Sequence, residues 1–206
     1  MTAFARSERR ALTDLMADLG PDAPTRCEGW TVRDLAAHLV LRERRPDAAP
    51  GILLGPFAGY TARVQRQLHD RPWTWLLDAV ASGPPALLRP LDEQINLVEL
   101  FVHHEDVRRA QPAWEPRDLD PGEERALWAR LGPMARLLRR RVPVGVTLDA
   151  PGYGQVEARS GDPRVTVTGA PGELVLFMSG RRSAARVGVS GPSEAIAGLE
   201  AAKLGL

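Results

Sequence analysis

The hydrophobic period of the chain changes at Val142, and no single type of secondary structure accommodates both sides of that change. Before it, apolar residues fall at helical spacing: Leu12, Leu15, Met16 and Leu19 share a face, and Gly20-Pro21 ends the run. Thr31 stands where it would cap a second helix, three residues ahead of Asp34, with Val32, Leu35, His38 and Leu39 on the inner side. Residues 43–56 are rich in Arg, Pro and Gly and read as a loop. A helix from Phe57 to His69, a short segment at Trp73–Leu77 and a loop at Gly83-Pro84-Pro85 follow. A further helix is expected from near Leu91 to just before Gln111-Pro112, and another from Glu123 to Arg141.

From Val142 the alternation is that of strands, at Val142–Leu148, Gln155–Ala158, Val165–Thr168 and Ala185–Val189. Helices are expected between and after them, at Gly172–Ser179 and Ser193–Lys203. The expected fold class is α+β, with a helical bundle over residues 1–141 and a small α/β domain over residues 142–206.

A chain of 206 residues with 44% hydrophobic and 26% charged residues can bury a core without covalent help. Its one cysteine, Cys27, excludes an internal disulfide framework and fits a reducing, cytoplasmic setting. The first residues are charged where a signal peptide would be apolar, and no stretch approaches the roughly 20 apolar residues of a membrane span. A formal net charge of +1 gives no field to attract nucleic acid or a membrane surface. The expected partners are small molecules, and the expected assembly is a monomer or homodimer.

Glu99 and His103 are four residues apart on the expected fifth helical segment, so both side chains point the same way about one turn apart. His38 offers a third ligand from the earlier capped helix. Two histidines and one carboxylate would hold a divalent metal, zinc first, with nickel, iron or manganese as alternatives, and leave a position open. Each residue alone has a plainer reading: a hydrogen-bonded core histidine, or a solvated charge. Burying Glu99 among Val98, Leu100 and Phe101 without a partner would cost several kcal/mol, which favours the metal.

Asp34, one turn before His38, and Asp106, three residues after His103, are candidates to orient the histidines through their second ring nitrogens. The competing reading makes Asp34 a helix N-terminal charge and Asp106 a partner of Arg108 or Arg109. Arg42, one turn beyond His38, and Arg181, after the C-terminal-domain helix, are candidates to bind an acidic substrate. His104 points away from His103 round the helix and is expected between helices or at the surface, and Cys27 is expected as a small buried apolar residue.

The run Cys27-Glu28-Gly29-Trp30-Thr31-Val32-Arg33-Asp34-Leu35-Ala36-Ala37-His38-Leu39, with Glu99-Leu100-Phe101-Val102-His103-His104-Glu105-Asp106-Val107, resembles the mycothiol-dependent maleylpyruvate isomerase-like family of the DinB-like superfamily. Within it the chain is most similar to an actinobacterial subgroup described only as metal-binding proteins. The resemblance covers nearly the whole chain. It implies a metal-binding four-helix bundle with a smaller C-terminal α/β domain, ligands at His38, Glu99 and His103, and mycothiol as thiol co-substrate. Glu105 departs from the tryptophan frequent at its position, so substrate identity does not carry over.

The expected function is that of a metal-dependent, thiol-using transferase or isomerase acting on a small electrophile. The alternative is a non-catalytic divalent-metal-binding protein with a stress-response or regulatory role.

Overall fold

The computed structural model describes residues 4–138, 142–202 and 204. Its fold is the expected one: helices first, then a small sheet with further helices. Packing divides it into two compact units, Met1–Glu115 and Pro116–Leu206.

Among the described residues the first unit contains five α-helices, α1 (Phe4–Leu19), α2 (Val32–Arg44), α3 (Ala58–His69), α4 (Trp73–Ser82) and α5 (Asp92–Arg108). Four of them close a ring: α1 packs on α5 and α4, α4 packs on α2, and α2 meets α5 through His38–Glu99 and Arg42–Asn96 side-chain contacts. Helix α3 lies against α2. In α1 the inner face is Ala5, Leu12 and Met16, while Leu19 is exposed, and Gly20 at φ +83° terminates the helix.

Helix α2 starts with a complete capping box. The Thr31 hydroxyl accepts from the Asp34 amide, and the Asp34 carboxylate accepts from the Thr31 amide at 2.9 Å. Such a cap stabilises a helix start by about 1 kcal/mol and fixes where His38 falls along the bundle. Helix α5 buries Asn96, His103, His104, Glu105 and Asp106 together with Leu97, Leu100, Phe101, Val102 and Val107. Each of those polar groups needs a partner inside.

Two expectations change here. The segment at Trp73 is a full helix to Ser82, ended by Gly83 at φ +68°. The expected loop at 43–56 holds two 3-10 turns, Ala49–Ile52 and Gly55–Phe57, each started by a proline.

The second unit contains α6 (Pro121–Leu138), a four-stranded sheet, α7 (Pro171–Met178) and α8 (Ser193–Ala201). The strands are β1 (Gly145–Ala150), β2 (Gly154–Arg159), β3 (Arg164–Thr168) and β4 (Gly188–Ser190), in the order β2-β1-β3-β4. β1 and β3 run parallel, in a register that sets Val146 beside Val165 and Leu148 beside Val167; the other pairs are antiparallel.

Pairing of β1 begins at Gly145 rather than Val142, because Pro143 has no amide hydrogen to give a ladder. The strand expected at Ala185–Val189 shifts to Gly188–Ser190, since the Ala184 and Ala185 amides are both committed to a turn on the Arg181 carbonyl. Helix α6 belongs with the sheet, packed on α7 and β2, and its Glu124 carboxylate accepts from the Gly172 amide at 2.9 Å. The packing boundary at 115/116 therefore precedes the change of period by a whole helix. Arg139, Arg140, Arg141 and Lys203, expected at helix ends, lie outside the described residues. Among the described residues no helix is long and apolar enough to cross a membrane.

Candidate metal centre

The ligand atoms of His38 on α2 and of Glu99 and His103 on α5 lie within 4.8 Å of one another. Both histidines aim Nε2 at the same oxygen, Glu99 Oε1, His103 at 3.2 Å and His38 at 3.4 Å. The imidazoles are buried, with 9% and 10% side-chain exposure, whereas Glu99 keeps 27%. Solvent therefore reaches the cluster from the carboxylate side. Trp30, in the turn before α2, packs its ring 5.1 Å from that of His38 and forms one wall.

The other nitrogen of His103, Nδ1, lies 2.9 Å from Asp106 Oδ2. An ionised carboxylate only accepts, so Nδ1 carries the hydrogen. In a neutral ring Nε2 would then face the Glu99 oxygen lone pair to lone pair at 3.2 Å, which is repulsive. A positive charge between them removes the conflict, whether a proton or a metal cation.

The electrostatics of the three side chains favour the same positive charge. Burial pushes His103 down, but hydrogen bonds with Asp106, Cys27 and Glu99 outweigh it and hold the imidazole well above its usual value. Burial pushes Glu99 up, and its hydrogen bonds to His103 and His38 more than reverse that, leaving it well below the usual carboxylate range. For His38 burial prevails over its bond to Glu99 and lowers it. His38 is thus the ready neutral ligand, and His103 is the one that holds a proton.

The structure separates the two candidate orienting carboxylates. Asp106 stands on His103 and also accepts from the Cys27 thiol at 3.2 Å. Arg108 and Arg109 each pair with the buried Glu105, at 2.9 and 2.5 Å. Asp34 is not brought to His38: its Oδ2 is held by Thr31 and its Oδ1 faces His69 Nε2 at 3.5 Å. Cappings of this kind use the carboxylate along its own helix, so it is unavailable one turn later.

Arg42 comes to the cluster, with Nε 3.3 Å from Glu99 Oε1. Arg181 belongs to the second unit, where Nη1 donates to the Ser179 carbonyl at 2.7 Å. His104 is buried against α1, with Nδ1 2.9 Å from Glu8 Oε2, which makes it an interhelix residue.

Cys27, expected as a small buried apolar residue, and Asn96, given no role in the sequence reading, both stand beside the cluster. Cys27 is half-buried and turned to Asp106, because the Arg26 amide is tied to the Asp106 carbonyl at 2.9 Å. That link spans two distant segments and leaves no local signal. Asn96 holds Arg42 and sits three residues before Glu99, a helical spacing that marks it as a neighbour of the cluster.

The fold and the cluster together define the class: a helical bundle that gathers two histidines and a carboxylate inside, joined to a small α/β unit. The chain belongs to the family of the mycothiol maleylpyruvate isomerase N-terminal domain, whose model matches residues 5–143. That match runs past α6, so the family's N-terminal region includes the helix that packs here with the sheet.

The crystal structure of the mycothiol-dependent maleylpyruvate isomerase matches with a TM-score of 0.53 at 18% identity, over 91% of this chain and 90% of that one. A histidine-to-alanine mutant of that isomerase matches over the same shares with a TM-score of 0.52 at 18% identity. At that identity the likeness shows a shared fold. No curated protein matches the sequence.

Proposed function

We propose that this chain is a metal-dependent, thiol-using isomerase or transferase acting on a small electrophile, with mycothiol as its thiol. The observation that carries the reading is the convergence of His38 Nε2, Glu99 Oε1 and His103 Nε2 within 4.8 Å, in a chain whose family is that of the mycothiol maleylpyruvate isomerase N-terminal domain.

The donor set fits a divalent cation. Two imidazole nitrogens and one carboxylate oxygen suit zinc first, then nickel, iron or manganese, and the lone-pair conflict at His103 calls for positive charge at that point. A cation bound there would supply the Lewis acidity that turns a thiol into a thiolate at neutral pH.

The protein's own residues have distinct tasks. Asp106 fixes the His103 ring so that Nε2 faces inward, and the Cys27 thiol gives Asp106 a second donor that keeps its carboxylate turned to the ring. Trp30 covers His38 and keeps water from that side. Arg42, anchored by Asn96 and the Ile95 carbonyl, presents positive charge beside the accessible edge of Glu99, where an acidic substrate group would be drawn. The single cysteine supports a reducing compartment, the cytoplasm.

Elemental analysis of the purified protein tests the site: about one divalent metal per chain is expected, falling sharply in His38→Ala. Unchanged metal content in that variant would remove the site assignment. Mycothiol-dependent consumption of a chloro-dinitrobenzene probe tests the chemistry. Stoichiometric metal with no turnover across a panel of thiols and electrophiles would favour a non-catalytic divalent-metal-binding protein.

A further inference from the structure

One carboxylate oxygen, Glu99 Oε1, is approached by nitrogens of three residues: His103 Nε2 at 3.2 Å, Arg42 Nε at 3.3 Å and His38 Nε2 at 3.4 Å. Two of these are candidate ligands. The third belongs to a guanidinium, which stays charged at any pH a protein survives.

That guanidinium is held in place from behind. Arg42 Nη1 donates to Asn96 Oδ1, and Nη2 donates to the Ile95 carbonyl at 3.3 Å. Asn96 is itself fixed, since its Nδ2 donates at 2.6 Å to Asp92 Oδ1, which also accepts from Arg9 Nη2 at 2.9 Å. The side chain is only 23% exposed. The positive charge on Glu99 is therefore built into the α2–α5 contact and does not ride on a free surface arginine.

We infer that Arg42 is an internal competitor of the metal at Glu99, a positioning residue that holds the carboxylate toward the histidines and sets how tightly the site takes a cation. The inference rests on the metal reading above. A divalent cation held by Glu99 would have to share that carboxylate with Arg42, whose guanidinium already stands 3.3 Å from Oε1 in a partly desolvated place, where like charges repel strongly. Asn96 and the Ile95 carbonyl keep the guanidinium from escaping the repulsion by moving into solvent. The site gains a pre-arranged carboxylate and loses affinity in exchange.

Titration of the metal-free full chain with Co²⁺, followed by its visible absorption, tests this directly. Arg42→Gln and Arg42→Met both remove the charge, and each is expected to bind Co²⁺ at least about tenfold more tightly than the wild type. Arg42→Lys keeps the charge but loses the two-point anchor on Asn96 and the Ile95 carbonyl, and is expected to bind Co²⁺ with an affinity between those of the wild type and the neutral variants. Helical circular dichroism reports whether each variant is folded, and either of the two neutral variants suffices. Neutral variants that bind no more tightly than the wild type overturn the inference and leave the metal reading standing. Arg42→Lys binding more tightly than Arg42→Gln overturns it too, since removal of the charge would then not be what strengthens binding. A folded wild type that takes up no Co²⁺ overturns the metal reading itself.

Discussion

His103 answers to two carboxylates at once, Asp106 on Nδ1 and Glu99 on Nε2. Their roles differ because of where the hydrogen sits: Asp106 fixes the tautomer and Glu99 faces the nitrogen that would ligate. Asp106→Asn is expected to weaken divalent-metal binding by about 10- to 100-fold while leaving the helices intact. A Co²⁺ titration beside a circular dichroism spectrum checks both parts. Cys27, sharing the same Asp106 oxygen, shows how a residue read as apolar filler becomes part of a polar arrangement once the chain folds back on α5.

At the scale of the elements, the bundle is braced by a buried arginine. Arg9 on α1 reaches Glu43 on α2 at 2.7 Å, Asp92 on α5 at 2.9 Å and the Val80 carbonyl on α4 at 3.2 Å, so one side chain ties α1 to the other three helices of the ring. Arg9→Met leaves the buried Glu43 without its hydrogen-bonded cation and Asp92 with its Asn96 hydrogen bond but no arginine, and is expected to cost about 3 kcal/mol, read as a lower denaturant midpoint.

Glu43 shows the limit of that pairing. Burial raises its pKa, and the Arg9 hydrogen bonds, which pull it down, do not repay the desolvation. Its ionised form is thus disfavoured in the fold relative to the unfolded chain. Its contribution to stability is present in full below the ordinary carboxyl range and is lost as pH rises through the elevated folded value. Glu43→Gln does not titrate, so the Tm of the wild type relative to this variant should decline as pH rises above the ordinary carboxyl range of about 4. A difference that stays flat or grows with pH would contradict this.

At the scale of the whole molecule, the units follow packing and not period. Leu127, Leu131 and Ala135 of α6 are buried, and α6 packs on α7 and β2. A fragment of residues 116–206 is expected to unfold cooperatively on heating, whereas residues 142–206, deprived of α6, should not. Circular dichroism melts of the two fragments decide between a boundary at 115/116 and one at 141/142.

The sequence by itself determined what acts over three or four residues, because the helix fixes those neighbours whatever else the chain does. The Thr31–Asp34 capping box, the Glu99–His103 pair and the reach from His103 to Asp106 are all of this kind, as is the switch from helical to alternating period. Tertiary structure alone decided the contacts between distant segments. His38 meets Glu99 across 61 positions and Cys27 meets Asp106 across 79, while Arg9 joins Glu43 and Asp92, and Arg42 settles on Asn96. It also decided against an apparent local match, since Asp34 serves its own helix start and faces His69 rather than His38. Spacing lists the partners a helix can offer; the packing of α2 against α5 selects which of them share a site.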